Sequence, residues 1–553
     1  MRLSGAEIFI KVLLEQGVDR IFGYPGGAVL PLYDALYRNA DQIIHYMTAH
    51  EQGAAHAADG YARASGRTGV VLATSGPGAT NLVTGLAAAY MDSVPMVAVT
   101  GNVSTSLIGR DSFQEVYVAG ITMAVTKHNF VVRSTDQLAD TLRQAFRLAQ
   151  SGRRGPVLVD IPQNVALGEA VYRPAKAVVP QTAAKPCAED VSRAAEILNR
   201  AERPIVYFGG GVAASDAGDV LRALLQKADL PAAHTLMGAG VLDSEDPRCL
   251  GMLGMHGRRS ANLALDHADV VLALGTRFSD RVVLNLEKFA HRAQIVHVDI
   301  DPSEIGKNVP AAHSVVGDLK EVLTAMLPQI GGCMREGWRG QIAKWRQMDE
   351  LLQDDGISLL PGGIMRVLSE TAGPDGIFVT DVGQHQMWAA QYLHHRAPHH
   401  FLTSGGLGAM GYGYGAAIDA SLSAGKRPIL HITSDGSFHM NLQEVSTAVR
   451  YGIPVISVIL NNRVLGMVHQ WQDDFYGGRH SASEPDWKTD YVKVAEGFGA
   501  KGYRCADLSE LQTLVSRALR ETGPVWIECP IAQTERVLPM IPAGGTVRDS
   551  ITR

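Results

Sequence analysis

The residues with the clearest chemical promise lie between Ile429 and Gln470. An apolar run, Ile429 to Thr433, ends in Ser434-Asp435-Gly436-Ser437. A second, Pro454 to Leu460, ends in Asn461-Asn462, with a helix-period segment between them. Such a βαβ unit sets Asp435 and Asn462 side by side at the carboxyl ends of parallel strands. An acid and an amide do not hold a bare phosphate, but they can hold a hard cation that bridges to one. Asp435 offers a charged oxygen, Asn462 a neutral one and the backbone carbonyl of Val464 a third, leaving octahedral positions for diphosphate oxygens and water. The free amides of Gly436 and Ser437 at the following helix start add anion donors. The structural alternative makes Asp435 a helix cap and Asn461-Asn462 a turn.

A second candidate is Glu51, which opens a segment of small residues directly after the apolar run Ile43 to Met47. Burial among Gly and Ala is expected to raise its pKa, so that it keeps or donates a proton near neutrality. The plainer alternative is a helix-start carboxylate complementing the dipole. Gly-rich turns at Phe22 to Gly27 and Thr74 to Asn81 expose backbone after strands, in isolation a sign of geometry more than of chemistry. Asp299, at a strand end, stands where a dinucleotide site needs an acid near a ribose. The four histidines His394, His395, His399 and His400 read as a solvated basic loop, since no acidic or Cys ligand accompanies them.

These residues need scaffolds. A chain of 553 residues exceeds one hydrophobic core, and alternating helical and strand-like segments predict parallel α/β domains. A Pro-, Ala- and Lys-rich linker, Tyr172 to Ala188, and a Gly-rich stretch, about 328–363, divide it into 1–172, 189–328 and 360–553. A formal net charge of -6 gives no electrostatic case for nucleic acid or an anionic membrane. Five scattered cysteines argue against a disulfide framework and fit a reducing cytoplasm. No apolar run has the length of a bilayer span, and Ser4 to Glu7 reads as a capping box in place of a leader peptide.

The spacing of SDG and NN resembles the GDG…NN signature of thiamine diphosphate (ThDP) enzymes, with Ser434 in place of the first Gly. Longer segments narrow this: YPGGAVLPLYDAL, HEQGAAHAADGYARASG, ATSGPGATNLVTGLA, FQEV, TKHNF, GPVLVDIP, LGMLGMHG, DVGQHQMWAAQ, SGGLGAMG, SDGSFHMN, LNNRVLGMVHQWQ and PMIPAGG resemble the catalytic subunits of the acetohydroxyacid (acetolactate) synthase family, in order and over nearly the whole chain. The resemblance implies three ThDP-enzyme domains: pyrimidine-binding, central Rossmann-like and diphosphate-binding. It implies Glu51 as the cofactor-activating acid and Asp435, Asn462 and Val464 as Mg2+ ligands. Gln384, His385, Gly408, Met410, Gly436, Ser437 and Met467 would contact ThDP. Gly26, Gln114 and Lys127 would belong to the catalytic face, with Arg281 receiving an acceptor carboxylate and Trp471 favouring 2-ketobutyrate.

For a non-redox FAD the resemblance implies Arg153, Gly209, Gly210, Gly211, Thr235, Leu236, Met237, Gly254, Met255, His256, Gly257, Arg277, Asp280, Asp299, Ile300 and Asp318. The implied activity decarboxylates pyruvate and joins its two-carbon unit to a second 2-keto acid, giving 2-acetolactate or 2-aceto-2-hydroxybutyrate for branched-chain amino-acid synthesis. Glu51 and Asp435 would meet across two subunits of a homodimer or homotetramer, with a small regulatory subunit as a further partner. The chain departs from the family pattern at Gly120 to Ala124, at Val116-Tyr117 and at Tyr412 to Gly415, which are expected to border the substrate channel or the pyrimidine end. A ThDP/FAD pyruvate oxidase, a carboligase for another 2-keto acid and a non-catalytic cofactor-binding subunit remain as alternatives.

Overall fold

Each apolar run becomes a strand with its carboxyl end free for polar residues. The computed structural model describes residues 1–181, 183–349, 354–425, 427–485 and 487–552. Parts of the expected linker (182), of the Gly-rich stretch (350–353) and of the last span (426, 486 and 553) lie outside the described residues. Three six-stranded sheets form, each wholly parallel, as expected of buried Val- and Ile-rich strands flanked by helices.

In the first sheet the strand order is Ile44–Met47, Arg20–Tyr24, Gly69–Ala73, Met96–Asn102, Pro156–Pro162, His128–Val131. The chain winds both ways from the neighbours Arg20–Tyr24 and Gly69–Ala73. The crevice beyond their carboxyl ends, where ligands bind in such sheets, is bordered by Pro25, Gly26 and Thr74 to Gly76. The second sheet reverses between Pro204–Phe208 and Val270–Leu274, and the third between Ile377–Thr380 and Ile429–Ser434. The predicted capping box is present: Ser4 accepts from Glu7 N and the Glu7 carboxylate from Ser4 N, opening helix Gly5–Glu15.

The first and third sheets share a core. Phe22, Ala58 and Leu86 belong to the same buried cluster as Tyr412, Ile418 and Trp526, and each large apolar side chain so buried contributes about 1.5–3 kcal/mol. Helix Glu51–Ser65 lies against helix Tyr412–Ser423 with backbone nearly touching backbone. A Cβ on Gly60 would collide with the Ala416 carbonyl, and one on Gly415 would lie 2.8 Å from Gly53 O. The polar centre of this contact is buried as well. Tyr412 Oη donates to Asp59 at 2.6 Å, Arg63 bonds Asp59 and Asp92, and Asp92 accepts from the amides of Gly405 and Gly406. Tyr412 and Tyr414, expected to border the substrate channel or the pyrimidine end, are fully buried in this interface.

The histidine loop also differs from expectation. His395 is buried and its Nε2 faces the carbonyls of Ala389 and Ala390, so burial pulls its pKa down to about 3. His399 is exposed and His394 partly so, as expected, while His400 is half-buried.

Candidate active site

In the third sheet Ser434 pairs with Leu460 and Asn461 with Pro530. Asp435 and Asn462 therefore emerge at the same carboxyl edge. Asp435 begins the short helix Asp435–Phe438 but makes no capping hydrogen bond. Both of its carboxylate oxygens are buried with no partner. Burial pushes its pKa up to about 7, partly opposed by nearby backbone amides, Gly436 first. An orphaned buried carboxylate is costly unless a cation faces it. Asn462 sits beside it, its Nδ2 donating to Gln384 Oε1 at 3.1 Å and its Oδ1 accepting from Val464 N at 3.3 Å. This donor set fits Mg2+ better than it fits a cap.

Around this edge the chain is built for close approach. Gln384 opens a helix after Gly383 and bonds Gln470 and the Glu535 carbonyl, at 3.2 and 2.9 Å. A Cβ on Gly466 would overlap the Gln384 side chain, so only glycine leaves room there. His385 is fully buried with neither ring nitrogen bonded, and burial lowers its pKa to about 4, leaving it neutral. Gly408 has φ +71°, two residues before the half-buried Met410. Ser437 Oγ accepts from Gly411 N at 3.2 Å, and Met467 packs on the core beneath. Ser434, where glycine was expected, has φ -119° and ψ 165°, extended backbone that any residue adopts.

The first sheet supplies a second group. Glu51 begins helix Glu51–Ser65, is 8% exposed, and accepts from Asn81 Nδ2 at 2.9 Å. Gly26 packs on Thr74, and the backbone of Gln114 (φ +59°) lies against Gly76. Lys127 is placed differently: its Nζ donates to the carbonyls of Leu148 and Ser151, and burial lowers its pKa to about 8. Among the described residues no hydrogen bond or ion pair joins Glu51, Asn81, Gly26 or Gln114 to Asp435, Asn462 or Gln384. The Glu51 group and the Asp435 edge thus have no direct bond between them.

Sequence reasoning overlooked Glu444, which comes from the third sheet's side. It accepts from Ala49 N and His50 N, just before Glu51, at 3.1 and 2.9 Å, and burial raises its pKa to about 7. A Cβ on Gly53 would collide with its carboxylate. Gln470 was also overlooked; it exchanges hydrogen bonds with Val537 and so ties the tail to Gln384. Neither residue carries a local pattern, since each acts through a segment distant in sequence.

In the second sheet Gly209, Gly210 and Gly211 follow Pro204–Phe208 at the reversal, with Cβ positions at Gly209 and Gly211 blocked by Gly275. Thr235 Oγ1, Thr276 Oγ1 and His256 Nδ1 are buried without partners. Met237 lies beside Gly210, with Leu236 next to it in the same short turn. Arg277 lies beside Gly406. Asp299, its pKa raised to about 6 by burial, holds Asp301 N and precedes the half-buried Ile300. Gly254, Met255 and Gly257 form a turn on the Arg281 carbonyl. Asp318 caps helix Leu319–Met326, Asp280 is exposed, and Arg153 binds Glu304 and Ser93. Arg281 reaches across to the third unit, its guanidinium carbon 5.7 Å from the Trp471 ring centroid.

Comparison with known proteins agrees with this layout. Residues 3–121 match the thiamine pyrophosphate enzyme N-terminal TPP binding domain, 191–326 the central domain and 381–529 the C-terminal TPP binding domain. A probable acetolactate synthase large subunit of Methanocaldococcus jannaschii is 43% identical over 99% of the chain and 95% of its own length. The acetolactate synthase large subunit of Pyropia yezoensis is 42% identical over 98% and 94%, and the isozyme 2 large subunit of Escherichia coli 42% over 98% of both. The chain belongs to the acetolactate synthase large-subunit family. It is accordingly a ThDP-dependent enzyme with three α/β domains. Glu51, the Asp435 edge and the Arg281–Trp471 pair lie on separate elements of this chain.

Proposed function

We propose that the chain is a carboligase that decarboxylates pyruvate and adds the two-carbon unit to a second 2-keto acid, giving 2-acetolactate or 2-aceto-2-hydroxybutyrate, in branched-chain amino-acid synthesis. The observation that carries the reading is the buried, unpartnered Asp435 carboxylate at the sheet reversal of a chain so similar to acetolactate synthase large subunits. Asp435, Asn462 and the Val464 carbonyl would hold Mg2+, and the Gly436 and Ser437 amides the diphosphate. Gln384, His385, Gly408, Met410 and Met467 would surround the rings. Bound ThDP supplies a thiazolium that accepts the electron pair left when pyruvate loses carbon dioxide.

The protein's own groups do the rest. Glu51, fixed by Asn81, holds the proton exchanged with the aminopyrimidine. Gly26 and Gln114 offer donors to substrate oxygens. The Arg281 fork receives the acceptor carboxylate while Trp471 packs its alkyl end, a preference of about 1–3 kcal/mol. Glu51 and Asp435 act together across two subunits of a homodimer or higher homo-oligomer. The relatives' designation as large subunits supports a smaller regulatory partner. The glycines and unpartnered polar atoms of the second sheet suit FAD held for structure, and the cytoplasm is the proposed location.

Glu51→Gln tests the assignment. ThDP and Mg2+ binding, measured by calorimetry, should persist, while carboligation falls about 10²–10⁴-fold. Unchanged turnover would remove Glu51 from the mechanism.

A further inference from the structure

Helix Gly466–Tyr476 carries more than Met467 and Trp471. His469 and Asp473 lie one turn apart on it, and the chain then reverses through Gly477 and Gly478, at φ +62° and +68°, returning His480 and Glu484 to the same place. His480 Nε2 is 2.7 Å from Asp473 Oδ1, and His480 Nδ1 is 3.1 Å from Glu484 Oε1. His469 Nε2 is 3.1 Å from the same Glu484 oxygen, and its Nδ1 is 3.6 Å from Asp473 Oδ2. The two imidazoles stack with centroids 3.8 Å apart. Donor atoms of His469, Asp473 and His480 all fall within 4.8 Å of one another.

The reversal is fixed without these side chains. Leu465 N donates to Ser483 O at 2.7 Å, Gly478 N to Gln472 O at 3.0 Å and Gln472 Nε2 to Ser481 O at 3.0 Å, and the Ser483 hydroxyl bonds the Gln472 amide. The backbone therefore sets the stacked imidazoles between two carboxylates: Asp473 faces His469 Nδ1 and His480 Nε2, and Glu484 Oε1 faces the opposite nitrogens, His469 Nε2 and His480 Nδ1. A carboxylate on the far nitrogen of a metal-binding imidazole fixes its tautomer and orients the ring.

Nitrogen and oxygen donors together select zinc or a late first-row ion over Mg2+, which demands an octahedral oxygen shell. Around tetrahedral zinc, with bonds of about 2.0–2.1 Å, ligand atoms lie about 3.3 Å apart. The two donor pairs on the Asp473 side, at 2.7 and 3.6 Å, bracket that spacing. We propose that His469 Nδ1, His480 Nε2 and Asp473 hold a zinc ion, with Glu484 orienting the two imidazoles from their far nitrogens, distinct from the Asp435 edge. Zinc there clamps residues 477–484 onto the helix that bears Trp471. The site depends on these side chains and not on the reaction assigned above.

Equilibrium dialysis of the full-length protein against micromolar Zn2+, with millimolar Mg2+ and ThDP present, tests it. The wild type should retain one zinc per chain that Mg2+ does not displace. His480→Ala and Asp473→Asn, each with an unchanged unfolding curve in the absence of zinc, should bind it at least about tenfold more weakly, and Asp435→Asn should bind it normally. Absence of stoichiometric zinc on the wild type, or equal binding by His480→Ala and Asp473→Asn, would overturn the proposal.

Discussion

Asp435 presents two buried carboxylate oxygens with no side-chain partner, the setting a cation would satisfy. Its carboxyl pKa, raised by burial from an ordinary 3.8 to about 7, sets the direction of a pH effect. In the cation-free protein this group contributes stability that is present below pH 3.8 and lost as pH rises through 7. A bound cation favours the ionised form and reverses the preference. Mg2+ with ThDP should therefore raise the unfolding temperature more at pH 8 than at pH 6, with Mg2+ affinity falling up to about tenfold per pH unit below 7. Thermal-shift titrations at pH 6, 7 and 8 check this, and a pH-independent shift would contradict it. The placement of Asp435 and Asn462 at one edge was legible in the sequence because strand ends in a parallel unit lie side by side. Glu444 was not, since its bonds to Ala49 N and His50 N join segments nearly 400 residues apart, at |i−j| of 395 and 394.

Among elements, the contact of helix Glu51–Ser65 with helix Tyr412–Ser423 links the acid's half-site to the third sheet. Gly60 has no room for a methyl group against the Ala416 carbonyl. Gly60→Ala should cost about 1–3 kcal/mol through overpacking despite alanine's better helix propensity. Urea denaturation measures it, and a neutral or stabilised variant would mean that the helices are free to part. The strands and the first helix were readable from apolar runs and the Ser4–Glu7 box, which are local signals. His395 was misplaced, and the burial of Tyr412 and Tyr414 went unread, because these are decided by the Ala389 and Ala390 carbonyls, Asp59 and Trp526, partners that no periodicity reveals. Ser434 looked like an obstacle only while its backbone angle was unknown.

At the scale of the molecule, the half-sites make a prediction about assembly. Glu51→Gln and Asp435→Asn chains should each be nearly inactive. Mixed by co-refolding or co-expression, they should recover about a quarter of wild-type activity, from hybrid two-fold dimers holding one intact pair. A mixture no more active than its parts would place both groups of a working site in one chain. The parallel α/β class was legible from strand length and spacing, whereas the joint core of the first and third sheets was not. The central claim concerns the reaction, and one measurement meets it directly: anaerobic product analysis of the purified protein with ThDP and Mg2+, given pyruvate alone and then pyruvate with 2-ketobutyrate. The account predicts 2-acetolactate and carbon dioxide in the first case and 2-aceto-2-hydroxybutyrate in the second, with no electron acceptor added. Acetate formed only when an acceptor is supplied, or no carboligation product in either case, would contradict it.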